Sequence, residues 1–139
     1  MHPIHSLPIR LTPGQDLRVA LESAVLAQNC RAAFVLSGIG SLSTAGIRLA
    51  GAAQATRLRG EMEILTLSGT VAVDGDKTAS HLHMAISTDT GQVLGGHVAP
   101  GCIVRTTAEV LLALLPDWQF TREPDAITGY DELVVRGRD

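Results

Sequence analysis

The sequence predicts an α+β fold: a single domain over residues 1–139, with a largely antiparallel β-sheet and one main helix. Most segments alternate apolar and polar residues with the two-residue period of a strand that has one buried face. Only one stretch, about residues 16–29, repeats apolar residues at helical spacing, and turn sequences separate the other segments. With 139 residues and 45% apolar content, the chain is large enough to bury its own core without disulfide or metal support.

The first segments predict an edge strand, a turn and the main helix. Ile4–Leu11 reads as a short strand interrupted by Pro8, which favours a sheet edge because proline has no N–H to donate. Thr12–Asp16 supplies turn residues and an acidic helix start. One face of the helix should be buried, because apolar residues recur at helical spacing at Leu17, Leu21, Ala24 and Val25.

The next region predicts short strands with irregular connections. Ala32–Ser37 is a compact apolar run of strand character, and the two glycines of Gly38–Leu42 predict a tight turn after it. Ala50–Gly60 predicts a flexible stretch before another strand, Glu61–Ser68. In total we expect seven or eight short strands.

Two hairpins are predicted in the middle of the chain. Thr70–Val73 and Thr78–Ser87 flank Asp74–Asp76, whose residues tolerate positive φ. The end of the second strand then pairs with Gln92–Val98 through the loop Asp89–Gly91. A three-residue loop places apolar partners on one face of this hairpin, whereas a four-residue loop would pair polar with apolar residues. The pattern therefore selects the three-residue loop.

The last third of the chain contains one ambiguous segment and two strand-like pieces. Within Cys102–Leu115, the part Ala108–Leu115 has a helix-forming composition, whereas the β-branched residues before it favour a strand. Trp118–Arg122 and Glu132–Val135 then predict two short strands around a polar loop.

The composition argues against two classes of protein. Only 18% of the residues are charged and the net charge is −3, which is atypical of a disordered chain and of a general polyanion binder. The four aromatic residues are too few for a base-stacking surface. We expect no membrane segment, because the longest apolar run, Val110–Leu115, is far too short to span a bilayer.

The cysteines predict a cytoplasmic location. Cys30 and Cys102 lie in apolar surroundings, and nothing else in the sequence suggests export. Two buried reduced thiols are therefore expected, with one disulfide as the alternative. A reactive Cys102 thiol is a further alternative, although nothing marks its surroundings as electropositive.

The most informative motif is a pair of histidines on one predicted strand. His81 and His83 share a face because side chains alternate along a strand, and the three-residue loop sets His97 directly opposite His83. Gly95 and Gly96 leave room beside them for a small-molecule ligand, a water or a neighbouring subunit. Three imidazoles with an open fourth position are typical of catalytic zinc, and imidazole also suits iron, nickel or copper.

We therefore predict a divalent-metal site at His81, His83 and His97, with zinc as the expected ion. The alternative is that the three histidines form the polar outer face of a half-exposed sheet, where water satisfies them.

Three charged residues are candidates for catalysis. Glu63 and Glu109 each lie among apolar residues, where an unpaired carboxylate is costly to bury. Arg105 is the nearest partner in sequence, and either carboxylate could instead orient a metal-binding histidine. A surface or intersubunit ion pair is the alternative for each glutamate.

Six motifs span nearly the whole chain: Arg10–Leu17, Leu36–Leu42, Glu63–Gly69, His81–His83, Gly95–His97 and Thr107–Val110. In this order they resemble the PPC domain, the plants-and-prokaryotes conserved domain. The resemblance implies an α+β fold with a substantial antiparallel sheet and a homotrimer. It also favours a strand over Cys102–Leu115.

The resemblance makes DNA a candidate partner. Plant members carry the domain beside AT-hook motifs, and bacterial stand-alone members are often described as DNA-binding proteins. An AT-hook needs an Arg-Gly-Arg-Pro core, whereas this chain has Asp139 after Arg136–Arg138. The charge also disfavours DNA, although an oligomer could gather scattered basic residues into one patch: Arg10, Arg57, Arg59 and Arg105.

The fold is also similar to that of acetolactate decarboxylase, a zinc enzyme with three histidine ligands, and the similarity reaches only His81, His83 and His97. If this protein is an enzyme, the similarity implies a metal-dependent lyase or hydrolase, with Glu63 or Glu109 as the proton carrier. The alternative is a regulatory module that interacts with proteins or DNA and whose histidines are structural.

Overall fold

The computed structural model describes residues 1–139 as eight strands and one helix. In chain order these are β1 (His5–Leu11), α1 (Leu17–Ala27), β2 (Ala32–Arg48), β3 (Thr56–Asp74), β4 (Lys77–Thr88), β5 (Val93–Val98), β6 (Ile103–Leu114), β7 (Trp118–Pro124) and β8 (Asp131–Gly137). The predicted α+β class, with antiparallel pairing and one main helix, is confirmed.

Six strands form one antiparallel sheet in the order β1-β6-β2-β3-β4-β5. The far end of β2 also pairs with β5, through Ile47 with Val98 and Arg48 with His97. This second pairing closes β2, β3, β4 and β5 into a ring of strands. The β7–β8 hairpin forms a separate two-stranded sheet that packs mainly against β3.

Strand β1 lies at the sheet edge, as predicted, and runs through Pro8 without interruption. Its only neighbour is β6, so the missing proline N–H can face away from the ladder. Strand β6 covers nearly all of the ambiguous segment, and the strand interpretation is confirmed there.

The predicted tight turn over Gly38–Leu42 is wrong, because β2 continues through it. Gly40 has φ +154°, and a β-carbon there would overlap the backbone of Thr107 and Ala108 on β6. This glycine therefore allows a close strand approach in a bent sheet. Irregular register on either side of it, between Val35 and Ser37 and between Gly40 and Leu42, accommodates the bend.

The predicted flexible stretch over Ala50–Gly60 is also wrong beyond Ala55. Residues from Thr56 onward already belong to β3, which then runs as one strand to Asp74. The start of β3 pairs with the end of β2 and exposes most of its side chains. Its sequence is therefore polar and lacks the apolar pattern that predicts a strand.

Helix α1 covers one side of the sheet. Asp16 caps it by accepting a hydrogen bond from the Val19 N–H at 3.1 Å, and Leu17, Leu21 and Val25 are fully buried. The 11-residue helix is shorter than the predicted stretch, and no helix in the chain is long and apolar enough to cross a membrane.

Both cysteines are buried free thiols, as predicted. Burial raises the pKa of the Cys102 thiol, and its Sγ donates to the carbonyl of Gly46 at 3.3 Å. Cys102 therefore belongs to the core, and the reactive-thiol alternative lacks the lowered pKa that it requires.

Candidate metal centre

The strand that carries the first two histidines has one buried and one open face. Leu82, Met84 and Ile86 are at most 3% exposed and point into the core. The intervening residues His81 and His83 are exposed on the opposite face, as the alternation predicts.

The β4–β5 hairpin closes with the predicted register. The Gly91 N–H donates to the Thr88 carbonyl at 3.0 Å, and Gly91 has φ +81°. The resulting ladder pairs His83 with His97. The three-residue loop is therefore confirmed, and it brings the third histidine to the same face.

The three imidazoles converge on one point. Nε2 of His83 lies 3.1 Å from Nε2 of His81 and 3.2 Å from Nδ1 of His97, and one nitrogen from each ring lies within 4.8 Å of the others. Ligands of a tetrahedral zinc ion, each about 2.0–2.1 Å from the metal, would be separated by ~3.3 Å. The two short distances agree with that separation.

Hydrogen bonding between the rings accounts for this cluster poorly. A single ring nitrogen carries either one proton or one lone pair. Nε2 of His83 therefore cannot form good hydrogen bonds with both His81 and His97 at once. A cation among the rings offers every lone pair a partner. The donor set therefore fits a metal ion.

The surroundings favour the neutral form of two of the rings. Burial lowers the pKa of His81, and the positive charge of Arg122 lowers it further, while Glu132 opposes the shift. Burial and then Arg48 lower the pKa of His97 in the same way. Neutral imidazole is the form that binds metal ions.

Two arginines that the sequence analysis missed flank the cluster. Arg48 is the β2 partner of His97, and Nη2 of Arg122 on β7 donates to Oγ1 of Thr70 at 3.0 Å. Thr70 is in turn the β3 partner of His81. Both arginines come from parts of the chain whose approach to the histidine strands, by pairing for Arg48 and by packing for Arg122, leaves no local sequence signal.

The predicted catalytic carboxylates lie elsewhere. Glu63 and Glu109 are both exposed and line a separate cavity of about 420 Å³ with Ile39, Leu65 and Thr107, and none of its lining residues is a histidine. The structure therefore brings these glutamates together but not to the histidine cluster of the same chain.

The proposed partnership of Arg105 with these glutamates is wrong. Nη2 of Arg105 forms an ion pair with Oε1 of Glu61 at 2.5 Å, and the glutamates need no such partner because they are not buried.

Comparison with known proteins gives the family. The Plants and Prokaryotes Conserved (PCC) domain, also written PPC, matches residues 3–116. The chain belongs to this family. The β7–β8 hairpin, which begins at Trp118, lies outside the matched residues.

Two solved structures are similar over nearly the whole PCC chain. A hypothetical protein from Salmonella enterica is 40% identical, with a TM-score of 0.92 over 100% of this chain and 98% of that one. The metal-containing protein AF0104 from Archaeoglobus fulgidus is 26% identical, with a TM-score of 0.78 over 96% of both chains.

A third similarity is to part of a longer protein. The bifunctional protein GlmU of Synechococcus sp. strain JA-2-3B'a(2-13) is 46% identical over 129 residues, which cover 93% of this chain. The PCC chain spans about one fifth of that relative, 20% of its length. A more distant structure, from Bacteroides thetaiotaomicron, is provisionally described as DNA-binding and, at 16% identity, shows a shared fold alone.

Proposed function

We propose that this PCC protein binds one divalent metal ion, zinc in the first place, through His81, His83 and His97. The observation that carries the proposal is the convergence of three ring nitrogens, two pairs of which lie 3.1 Å and 3.2 Å apart. The Archaeoglobus relative, described as metal-containing, supports it because the two chains share 26% identity over 96% of their lengths.

The chain's own residues give such a centre its properties. A bound zinc ion would supply a Lewis acid able to polarise a carbonyl or carboxylate oxygen or to activate water. Gly95 and Gly96 do not open the expected space for a ligand, because a β-carbon on either would lie 2.6 Å from the backbone of β4 or β2. A small ligand instead has access through a cavity of about 390 Å³ that His81 and His97 line. A metal-dependent lyase or hydrolase is the reaction class that we propose for an enzymatic role, with Glu63 and Glu109 contributing only from another subunit.

We further propose a homotrimer. Exposed apolar side chains occur on the adjacent strands β6, β2 and β3, at Phe34, Leu36, Ile39, Leu65 and Leu111. A monomer would leave this apolar area in water, and self-association would bury it. Free buried thiols agree with a reducing compartment, so we propose a cytoplasmic location.

The second candidate is a regulatory module that binds protein or DNA. The description of the Bacteroides relative favours it, and the net charge of −3 weighs against direct DNA binding. In that case the histidines would be structural.

Metal content separates the two candidates. We expect untagged protein incubated with zinc and then desalted to retain about one ion per chain, by elemental analysis. His83→Ala and His97→Ala should lose it, whereas the matched control His5→Ala, which changes a histidine outside the cluster, should retain it. Retention by all variants would overturn the metal proposal, and salt-sensitive duplex binding that persists in them would favour the second candidate.

A further inference from the structure

We propose that Arg48 binds the carboxylate of a small carboxylic acid whose neighbouring oxygen faces the histidine cluster. This subsite rests on the proposed metal centre, because it names the class of ligand that the centre would take. Neither Arg48 nor its position at the end of β2 belongs to the histidine motif.

Strand pairing places Arg48 beside the cluster. Cross-strand partners direct their side chains to the same face of a sheet, and Ser68, His83, His97 and Arg48 form one continuous row of such partners across β3, β4, β5 and β2. Ile47 and its partner Val98 are buried, so the next pair, Arg48 and His97, faces outward. The guanidinium therefore shares the outer face with the imidazoles.

The Arg48 side chain is available to a ligand. It is half-buried and forms no ion pair, and its one hydrogen bond runs from Nη1 to the carbonyl of Ala52 at 3.3 Å. A guanidinium has five N–H donors in a planar fork, which matches the two oxygens of a carboxylate. Most of these donors remain unused within the chain.

Two cavities meet at this residue. One of about 390 Å³ and one of about 890 Å³ share Arg48, Ser80, His81 and His97 in their walls. A ligand in either cavity can therefore contact the guanidinium and two of the three imidazoles at once. Volumes of this order suit a small organic molecule.

The opposite wall limits the charge of the ligand. The β7–β8 hairpin contributes Arg122, Tyr130, Asp131 and Glu132 to the larger cavity. The two acidic residues balance the two arginines, so a singly charged carboxylate is favoured over a doubly charged phosphate. This hairpin lies outside the family-matched residues 3–116.

Pyruvate is a suitable probe, because its carboxylate has a carbonyl oxygen beside it. We would measure its affinity for zinc-loaded, untagged protein by calorimetry, with methyl pyruvate and inorganic phosphate as comparison ligands. We expect Arg48→Gln to weaken pyruvate binding by about tenfold or more, and Arg48→Lys to fall between it and the wild type. Arg59→Gln, which changes an exposed arginine that lines neither cavity, should leave the affinity unchanged.

Three results would overturn the subsite: pyruvate affinity unchanged in Arg48→Gln, equal affinity for methyl pyruvate, or tighter Arg48-dependent binding of phosphate. Zinc content, measured on each variant, distinguishes this failure from that of the metal centre. If the wild type holds no zinc but binds pyruvate through Arg48, the carboxylate subsite stands and the metal centre fails. If Arg48→Gln keeps both zinc and pyruvate, the metal centre stands and the subsite fails.

Discussion

Nε2 of His83 lies 3.2 Å from Nδ1 of His97, although the two residues are 14 positions apart in the chain. The β4–β5 ladder pairs them directly, and the residues before His97 are glycines whose backbone packs closely on neighbouring strands. The two rings therefore meet because of the strand register, which the closing turn fixes.

The close approach of β2 and β6 predicts a large cost for a side chain at Gly40. Gly40→Ala should lower the free energy of unfolding by about 2 kcal/mol or more, because its positive φ is strained and the new β-carbon overlaps β6 backbone. Gly51→Ala is the matched control: φ is +71° but no atom lies within 4 Å of the β-carbon. Its cost should be about 1 kcal/mol. Equal losses in urea unfolding would contradict the proposed clash.

The cap of α1 predicts a second difference in stability. Asp16 accepts hydrogen bonds from the Val19 N–H at 3.1 Å and the Gly101 N–H at 2.7 Å, so it joins the helix to the loop before β6. Asp16→Ala should cost about 1–2 kcal/mol. Asp117→Ala, which removes an exposed carboxylate beside His2, should lower the free energy of unfolding by at most about 0.5 kcal/mol. Urea unfolding of both variants checks this, and equal effects would refute the capping role.

The buried thiol predicts a dependence of stability on alkaline pH. Burial raises the pKa of Cys102 above its ordinary value of 9.0, so the unfolded thiol ionises first as pH rises. The stabilisation is thus complete below pH 9.0 and is lost as the pH rises through the higher folded value. The free energy of unfolding should fall less steeply between pH 8 and pH 10 in Cys102→Ala than in the wild type. Identical slopes would contradict the pKa shift.

The exposed apolar side chains predict the effect of a charge on assembly. Sedimentation should give three chains per particle for the wild type and smaller particles for Leu65→Glu, because the charge would be buried in the proposed interface. Val93→Glu changes an apolar side chain that is more exposed, at the start of β5 and away from that face, and should remain trimeric. A monomeric wild type, or a Leu65→Glu variant that remains fully trimeric, would argue against the homotrimer.

Local pattern was sufficient to predict most of the candidate site. The alternation around Leu82, Met84 and Ile86 gave the buried face of β4, and the loop ending at Gly91 gave the pairing of His83 with His97. Both features depend on residues close together in the chain, where period and turn chemistry act directly.

Long-range pairing was not predictable in the same way. From its sequence neighbours alone, Gly40 indicates a turn. Its role in the structure is to let β6 approach closely, and this contact depends on residues far away in the chain. Because β2 was expected to end near Ser37, its pairing of Arg48 with His97 could not be predicted. Glu63 looked buried because its sequence neighbours are apolar, but it lies on the exposed face of β3.

X-ray absorption spectroscopy of the zinc-loaded, untagged protein tests the central claim most directly, because it counts the atoms around the ion. We predict three imidazole nitrogens about 2.0–2.1 Å from zinc, with a solvent oxygen as the fourth ligand. His97→Ala should leave two imidazoles or no bound zinc. A spectrum with fewer than three imidazoles in the wild type, or one that does not change in His97→Ala, would contradict the account.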